Sequence, residues 1–199
     1  MSVICNTVRE VKTAQATAAA KAYSQFEITA LVEEAASGNF SAFGDLYSIY
    51  LDQIYRYVFY QVKDKMTAED ITEEVFLKAW KAIGSCNGKE KTFSSWLYRI
   101  AHNHLINTLR NAQKFTSIEK VDLVDFTDPK QKIETNSDYQ ELLAKITCLP
   151  QNQKQVIILK FIEGLDNREI GKIMSKSEGA IRVLQMRALA TLRQKLGEI

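Results

Sequence analysis

Asp166 to Leu196 reads DNREIGKIMSKSEGAIRVLQMRALATLRQKL, and this stretch decides the fold. Ile170, Ile173 and Met174 place apolar groups on one face of a first helix. Ile181, Leu184, Ala188 and Leu192 recur at spacings of three and four on a second. Ser177 stands at the N-cap position of the second helix, and Glu178 puts a carboxylate at the positive end of its dipole. Gly171 supplies the small residue that two steeply crossing helices need at their contact. The pattern predicts a helix-turn-helix, whose second helix can enter a DNA major groove. Ser175 and Lys176 depart from it, holding turn positions that are often Gly and apolar. An amphipathic helical hairpin with no DNA function fits the same spacing.

Working outward, the 199 residues hold only two prolines and eight glycines, so long segments run without breakers and the fold class is all-α. Net charge is +2, too small to identify a nucleic-acid binder, but its distribution is uneven. Residues 137–199 carry ten Lys/Arg against seven Asp/Glu, and residues 28–112 carry nine against ten. Cys5, Cys86 and Cys148 are odd in number and far apart, which fits a reducing cytoplasm and argues against disulfides or a cysteine zinc site. His102 and His104, two apart on a helix, make a poor metal pair. No apolar run approaches the ~20 residues needed to span a membrane, and the N-terminus lacks a signal-peptide core. Neither metal nor cofactor is expected.

Residues 1–25 are weakly patterned and form an extension with no assigned function. A short helix is expected over Phe26–Ala36, stopped by Gly38-Asn39. A longer one follows over Phe40–Val62, with Phe40, Phe43, Leu46, Tyr47, Tyr50, Ile54 and Val58 facing a core. The helix Thr67–Ile83 has Thr67 as its expected N-cap and Ile71, Val75, Ala79 and Ile83 as its apolar stripe, with Phe76, Leu77 and Trp80 beside it. Its acidic residues Asp70, Glu73 and Glu74 are either a solvated face or a dock for a basic protein surface. A polar loop, Gly84–Thr92, leads into a helix over Phe93–Asn111. There Arg99, Asn103 and Arg110 share a face flanked by Trp96 and Tyr98. Aromatics interleaved with donors suit single-stranded DNA, while a core Trp with surface arginines is the more common arrangement. Residues 113–136 hold five acidic residues and Pro129 without sustained period, and read as a flexible linker. A helix from Ser137 or Asp138 to Pro150, and an apolar helix stopped by Gly164, complete a four-helix C-terminal domain.

In order, the stretches FGDLYSIYLDQIYRYV, AEDITEEVFLKAWKAI, TFSSWLYRIAHNHLINTLR and LPQNQKQVIILKFIEGLDNREIGKIMSKSEGAIRVLQMRALATLR resemble the sigma-70 family of bacterial RNA polymerase sigma factors, in its extracytoplasmic-function (ECF) class. The resemblance implies two small helical domains joined by a flexible linker: a region 2-like bundle at 26–112 and a region 4-like helix-turn-helix domain at 137–199. It implies promoter recognition, promoter melting and transcription initiation with core RNA polymerase, which supplies all catalysis. It assigns Asp70, Glu73, Glu74 and Phe76 to the β′ clamp coiled coil. Asn87, Lys89, Lys91, Trp96, Tyr98, Arg99, Asn103 and Arg110 go to a −10-type element. Ser177, Glu178, Gly179, Arg182, Gln185 and Arg187 go to a −35-type element, with the same domain on the β flap. The expected partners are core polymerase, promoter DNA and an anti-sigma factor, with no small-molecule substrate.

The chain departs from the family pattern at Glu73, where Gln is common, and at Asn107, where Asp is common. Val183-Leu184 stand where polar or basic residues are common, which shifts the DNA load toward Arg182 and Arg187. A stand-alone helix-turn-helix regulator and a helical interaction module are the alternatives.

Overall fold

The structure is a computed structural model and describes residues 23–86, 93–115 and 143–196. Helix α1 (Gln25–Ala36) starts at a reciprocal capping box: Glu27 N–H donates to Ser24 Oγ, and the Glu27 carboxylate accepts from Ser24 N–H at 2.7 Å. Gly38, at φ 98°, turns the chain, and Asn39 caps α2 (Phe40–Val62) through Ser41 N–H and Ala42 N–H. The α2 apolar face is buried as its spacing predicts, with Leu46, Ile54 and Val58 fully inside. Phe40 is the exception. It sits on the first turn, 70% exposed, with its ring edge against Trp80.

Helix α3 (Lys65–Ala82) begins earlier than its sequence suggests. Asp64, rather than Thr67, is the N-cap: its carboxylate accepts from Thr67 N–H at 2.7 Å, and the Thr67 side chain first, then that backbone N–H, hold the Asp64 pKa below its ordinary value. Ile71, Val75, Ala79 and Ile83 are buried as one stripe. After a 3-10 turn (Ile83–Ser85), α4 (Phe93–Phe115) packs across α3 and α2, burying Phe93, Trp96, Leu97, Ala101 and Leu105.

The C-terminal half begins with a helical stretch at 143–147, then α5 (Gln151–Ile157), which widens into a π-helical turn (Ile158–Ile162). The expected uninterrupted helix therefore ends in a loosened turn, with Glu163 N–H reaching back to the Ile158 carbonyl and Gly164 reversing the chain at φ 78°. Helix α6 (Asn167–Met174) is capped by Asp166 and Glu169 in a second reciprocal box. The linker assigned to 113–136 lies almost wholly outside the described residues. The two sets of helices it joins are in direct contact, α4 against α6 and α2 against α5.

The turn before α7 (Glu178–Leu196) is tight. Lys176 N–H donates to the Gly171 carbonyl at 2.8 Å, and a Cβ on Gly171 would lie 2.8 Å from the Lys176 carbonyl oxygen. The small residue is thus demanded by the turn backbone rather than by a crossing helix. Ser175 occupies the left-handed region at φ 53°, the conformation that favours glycine. Ser177 Oγ accepts from Ala180 N–H, as an N-cap should. Ser175→Gly is expected to raise stability by about 0.5–1 kcal/mol, the left-handed penalty less glycine's entropy cost. Gly171→Ala should lower it by about 1–3 kcal/mol through overpacking, and urea midpoints check both.

Candidate nucleic-acid interface

Helix α7 is held down by Ile181, Ala188 and Leu192, which are buried, and its other face projects outward. Ser177, Glu178, Gly179, Arg182 and Arg187 are exposed there, and Gln185 is half-buried. Glu178 pairs with Arg182 one turn on, a solvent-exposed ion pair that orients the guanidinium. Val183 and Met186 are exposed on the same helix. Seven basic residues face three acidic ones between Asp166 and Lys195.

On α4, Arg99, Asn103 and Arg110 are exposed, and Asn107 joins them by accepting from the Arg110 guanidinium at 3.2 Å. Asn87, Lys89 and Lys91 lie outside the described residues. Trp96 and Tyr98 are not on this face. Trp96 is 3% exposed and packs on Phe93, whose ring meets Tyr50. Tyr98 is 1% exposed, edge-on to Tyr57. Helical geometry explains Tyr98, which falls with 97, 101 and 105 on the inward stripe, while 99, 103, 107 and 110 fall on the outward one. Trp96 is in phase with that outward stripe, seven residues before Asn103, and is buried at the start of the helix by packing on Phe93.

Asp70, Glu73 and Glu74 are exposed on α3, but Phe76 is buried against Tyr47, ring centroids 4.7 Å apart. The residue missed in this group is Leu77, 58% exposed. Its spacing of seven, four and three from the acidic residues is the signal that could have found it. Glu74 lies 3.0 Å from His104 Nε2 and 3.4 Å from Lys78 Nζ, so it is partly engaged inside the chain. Lys78 also meets His104 Nδ1; burial first, then Lys78, lowers that imidazole's pKa, and the neutral ring accepts from the ammonium.

A polar cluster joins the two halves. Tyr98 O–H donates to Glu163 Oε2 at 2.6 Å, and Arg56 Nη2 lies 3.6 Å from the same oxygen. The Glu163 side chain is 2% exposed. Burial raises its pKa, while Arg56 and the Tyr98 hydroxyl pull it back down. Ser95 Oγ donates to Glu169 at 3.2 Å, and Gln151 Nε2 to Gln61 Oε1 at 3.0 Å. These contacts account for the burial of Tyr98: its hydroxyl is used internally.

Two sequence patterns match this chain: Sigma-70 region 2 over residues 46–115 and Sigma-70, region 4 over residues 139–192. The chain is 30% identical over 161 residues to the ECF RNA polymerase sigma factor SigX of Bacillus subtilis, covering 76% of this chain and 81% of SigX. The chain belongs to the sigma-70 family, in its ECF class. It is also 29% identical to the Bacillus subtilis ECF sigma factor SigW over 84% of this chain and 96% of that one. With the ECF sigma factor BldN of Streptomyces coelicolor it shares 35% identity over 83% of its own length, but it spans only 64% of BldN. Two solved structures share the fold. CnrH in complex with the cytosolic domain of CnrY has a TM-score of 0.63 at 23% identity, covering 86% of this chain and 97% of that one. The sigma factor RpoE in complex with the anti-sigma factor NepR, from Bartonella quintana, has a TM-score of 0.65 at 20% identity, covering 78% and 96%.

In family terms, α2–α4 carry the region 2 match and 143–147 with α5–α7 the described part of region 4, and Glu163 is clasped where the regions meet. Tyr98→Phe removes one of that carboxylate's partners and should weaken the inter-region contact by about 1–3 kcal/mol. Small-angle scattering should then show a larger radius of gyration, with helix content unchanged by circular dichroism.

His102 sits beneath this junction, its Nδ1 3.3 Å from Tyr57 Oη. Burial, then the Lys176 charge, lowers its pKa from 6.5 to about 4. The folded chain therefore favours the neutral ring. The stability it contributes is full above pH 6.5 and is lost as pH falls toward 4. His102→Gln should flatten the fall in urea midpoint between pH 7.5 and 5, relative to the unchanged chain measured at the same two pH values.

Proposed function

We propose that this chain is the promoter-specificity subunit of a bacterial RNA polymerase. Region 4 reads a −35-type element as duplex through α7, region 2 engages and opens a −10-type element through α4, and the polymerase performs the chemistry. The observation that carries the reading is the placement of three outward faces on one chain. They are the acidic face of α3 with Leu77 at its end, the Arg/Asn face of α4, and the basic face of α7.

Each face suits its task physically. Exposed carboxylates around an apolar side chain fit a basic helical surface such as the β′ clamp coiled coil, with charge steering the approach. Arg and Gln on a groove helix can reach base edges. Arg99, Asn103 and Arg110 can hold a strand's phosphates while its bases unstack. Trp96 and Phe76 serve these faces by packing the helices beneath them. Opening of the clasp at Glu163 would let the two faces reach elements at least a helical turn apart on one duplex, about 34 Å. An anti-sigma partner that keeps it shut would silence both regions together. This draws support from the fold shared with two proteins solved with bound partners, one of them named an anti-sigma factor.

The test is run-off transcription with core polymerase. The chain should start transcripts at discrete sites, whereas a stand-alone regulator would bind duplex and initiate nothing. Charge reversal at Asp70 and Glu73 together should weaken core-polymerase binding by about tenfold or more, as loss of close charge pairs does, without changing helix content.

A further inference from the structure

Along α7 runs a shallow groove of about 350 Å³ whose walls include Lys176, Gly179, Ala180, Val183, Leu184 and Arg187. Its centre is apolar and its ends are cationic. Val183 is 41% exposed and Met186, beside it on the helix, 64%. Exposed apolar residues on an otherwise charged helix bring no stability to the free chain. Gly179 is unexplained by internal packing as well, because a Cβ there would meet nothing within 4 Å. Gly179 is the second residue of α7, and a glycine where no atom of the chain approaches suits close approach by something outside.

Charge complementarity names that occupant. Lys176 and Arg187 line the groove on either side of the apolar centre, and Arg182, ion-paired to Glu178, stands next to Val183 on the helix, which calls for a partner that is anionic at its edges and apolar at one point within. The DNA major groove has this make-up. Phosphates flank it, and thymine alone among the bases presents a methyl group there. Gly179 and Ala180 leave room for the base-pair edge, the two arginines reach phosphate or guanine, and the Val183 methyls meet the thymine methyl. We propose that Val183 is a specificity-determining residue that selects thymine, by its 5-methyl group, at one position of the upstream promoter element. The proposal rests on the promoter-reading function above and adds which base the apolar centre of α7 recognises.

The test uses the full chain assembled with core polymerase. Selection from duplexes randomised upstream of the start site gives the preferred element. Each thymine in it is then replaced singly by deoxyuridine, which removes only the methyl. One position should lose about three- to tenfold in open-complex formation, the effect of one buried methyl contact. Val183→Ala should abolish that sensitivity, and Val183→Thr, which keeps a methyl, should retain it. Helix content of the variants, and their transcription from the uracil template, show that they fold and assemble. Uracil insensitivity at every position overturns the proposal while leaving the sigma function standing. So does a Val183→Ala variant that keeps the sensitivity. Insensitivity to uracil together with weakened core-polymerase binding by Val183→Ala would overturn it in favour of a protein-docking groove. Failure to initiate on any duplex overturns both readings.

Discussion

A carboxylate taken out of water must be given partners, and the relation between the two halves of this chain depends on how Glu163 meets that requirement. Removing an ion from solvent costs several kcal/mol. Glu163 recovers part of it from the Arg56 guanidinium on α2 and the Tyr98 hydroxyl on α4. Both partners belong to the first helical set, so satisfying this side chain ties the second set to the first, alongside the Ser95–Glu169 and Gln151–Gln61 hydrogen bonds. Its raised pKa shows that the compensation is partial.

Backbone geometry imposes the second constraint. Between α6 and α7 the chain reverses in a turn so close that Gly171 has no room for a side chain and Ser175 must take a left-handed conformation. The strain at Ser175 is tolerated because Ser177 caps α7 and because Ile170, Ile173 and Ile181 are buried around the turn. The result is a helix whose inner face is anchored and whose outer face is free to carry polar, basic and apolar groups for another molecule.

The same sorting holds on α3 and α4. Charged side chains stay in water while the large aromatics go inside, because a buried aromatic removes about 150–250 Å² from solvent and a small helical bundle has few other ways to build a core. Phe76 and Trp96 therefore lie beneath the surfaces to which the family pattern assigns them. Their neighbours Glu73, Leu77, Arg99 and Asn103 form those surfaces. A motif locates the helix, and its phase turns Phe76 inward and Leu77 outward; Trp96, in phase with Arg99 and Asn103, is inside because it packs on Phe93.

Periodicity, capping chemistry and motif order in the sequence determined the all-α class, the helix order, the apolar stripes of α2 and α3, the Ser177 cap and the membership of the sigma-70 family. These are local properties, set by spacings of three and four and by side chains within a few residues of the groups they satisfy. Only the tertiary structure decided that the apolar helix before Gly164 loosens into a π-turn, and that Tyr98 spends its hydroxyl on a residue 65 positions away. The Asp64 cap, three residues from the N–H it meets, is by contrast a local signal that the sequence carries, although Thr67 is the expected cap; the clasp depends on two helices meeting whose separation along the chain carries no periodic signal. A buried carboxylate beside a tyrosine and an arginine looks, in sequence, like three ordinary surface residues.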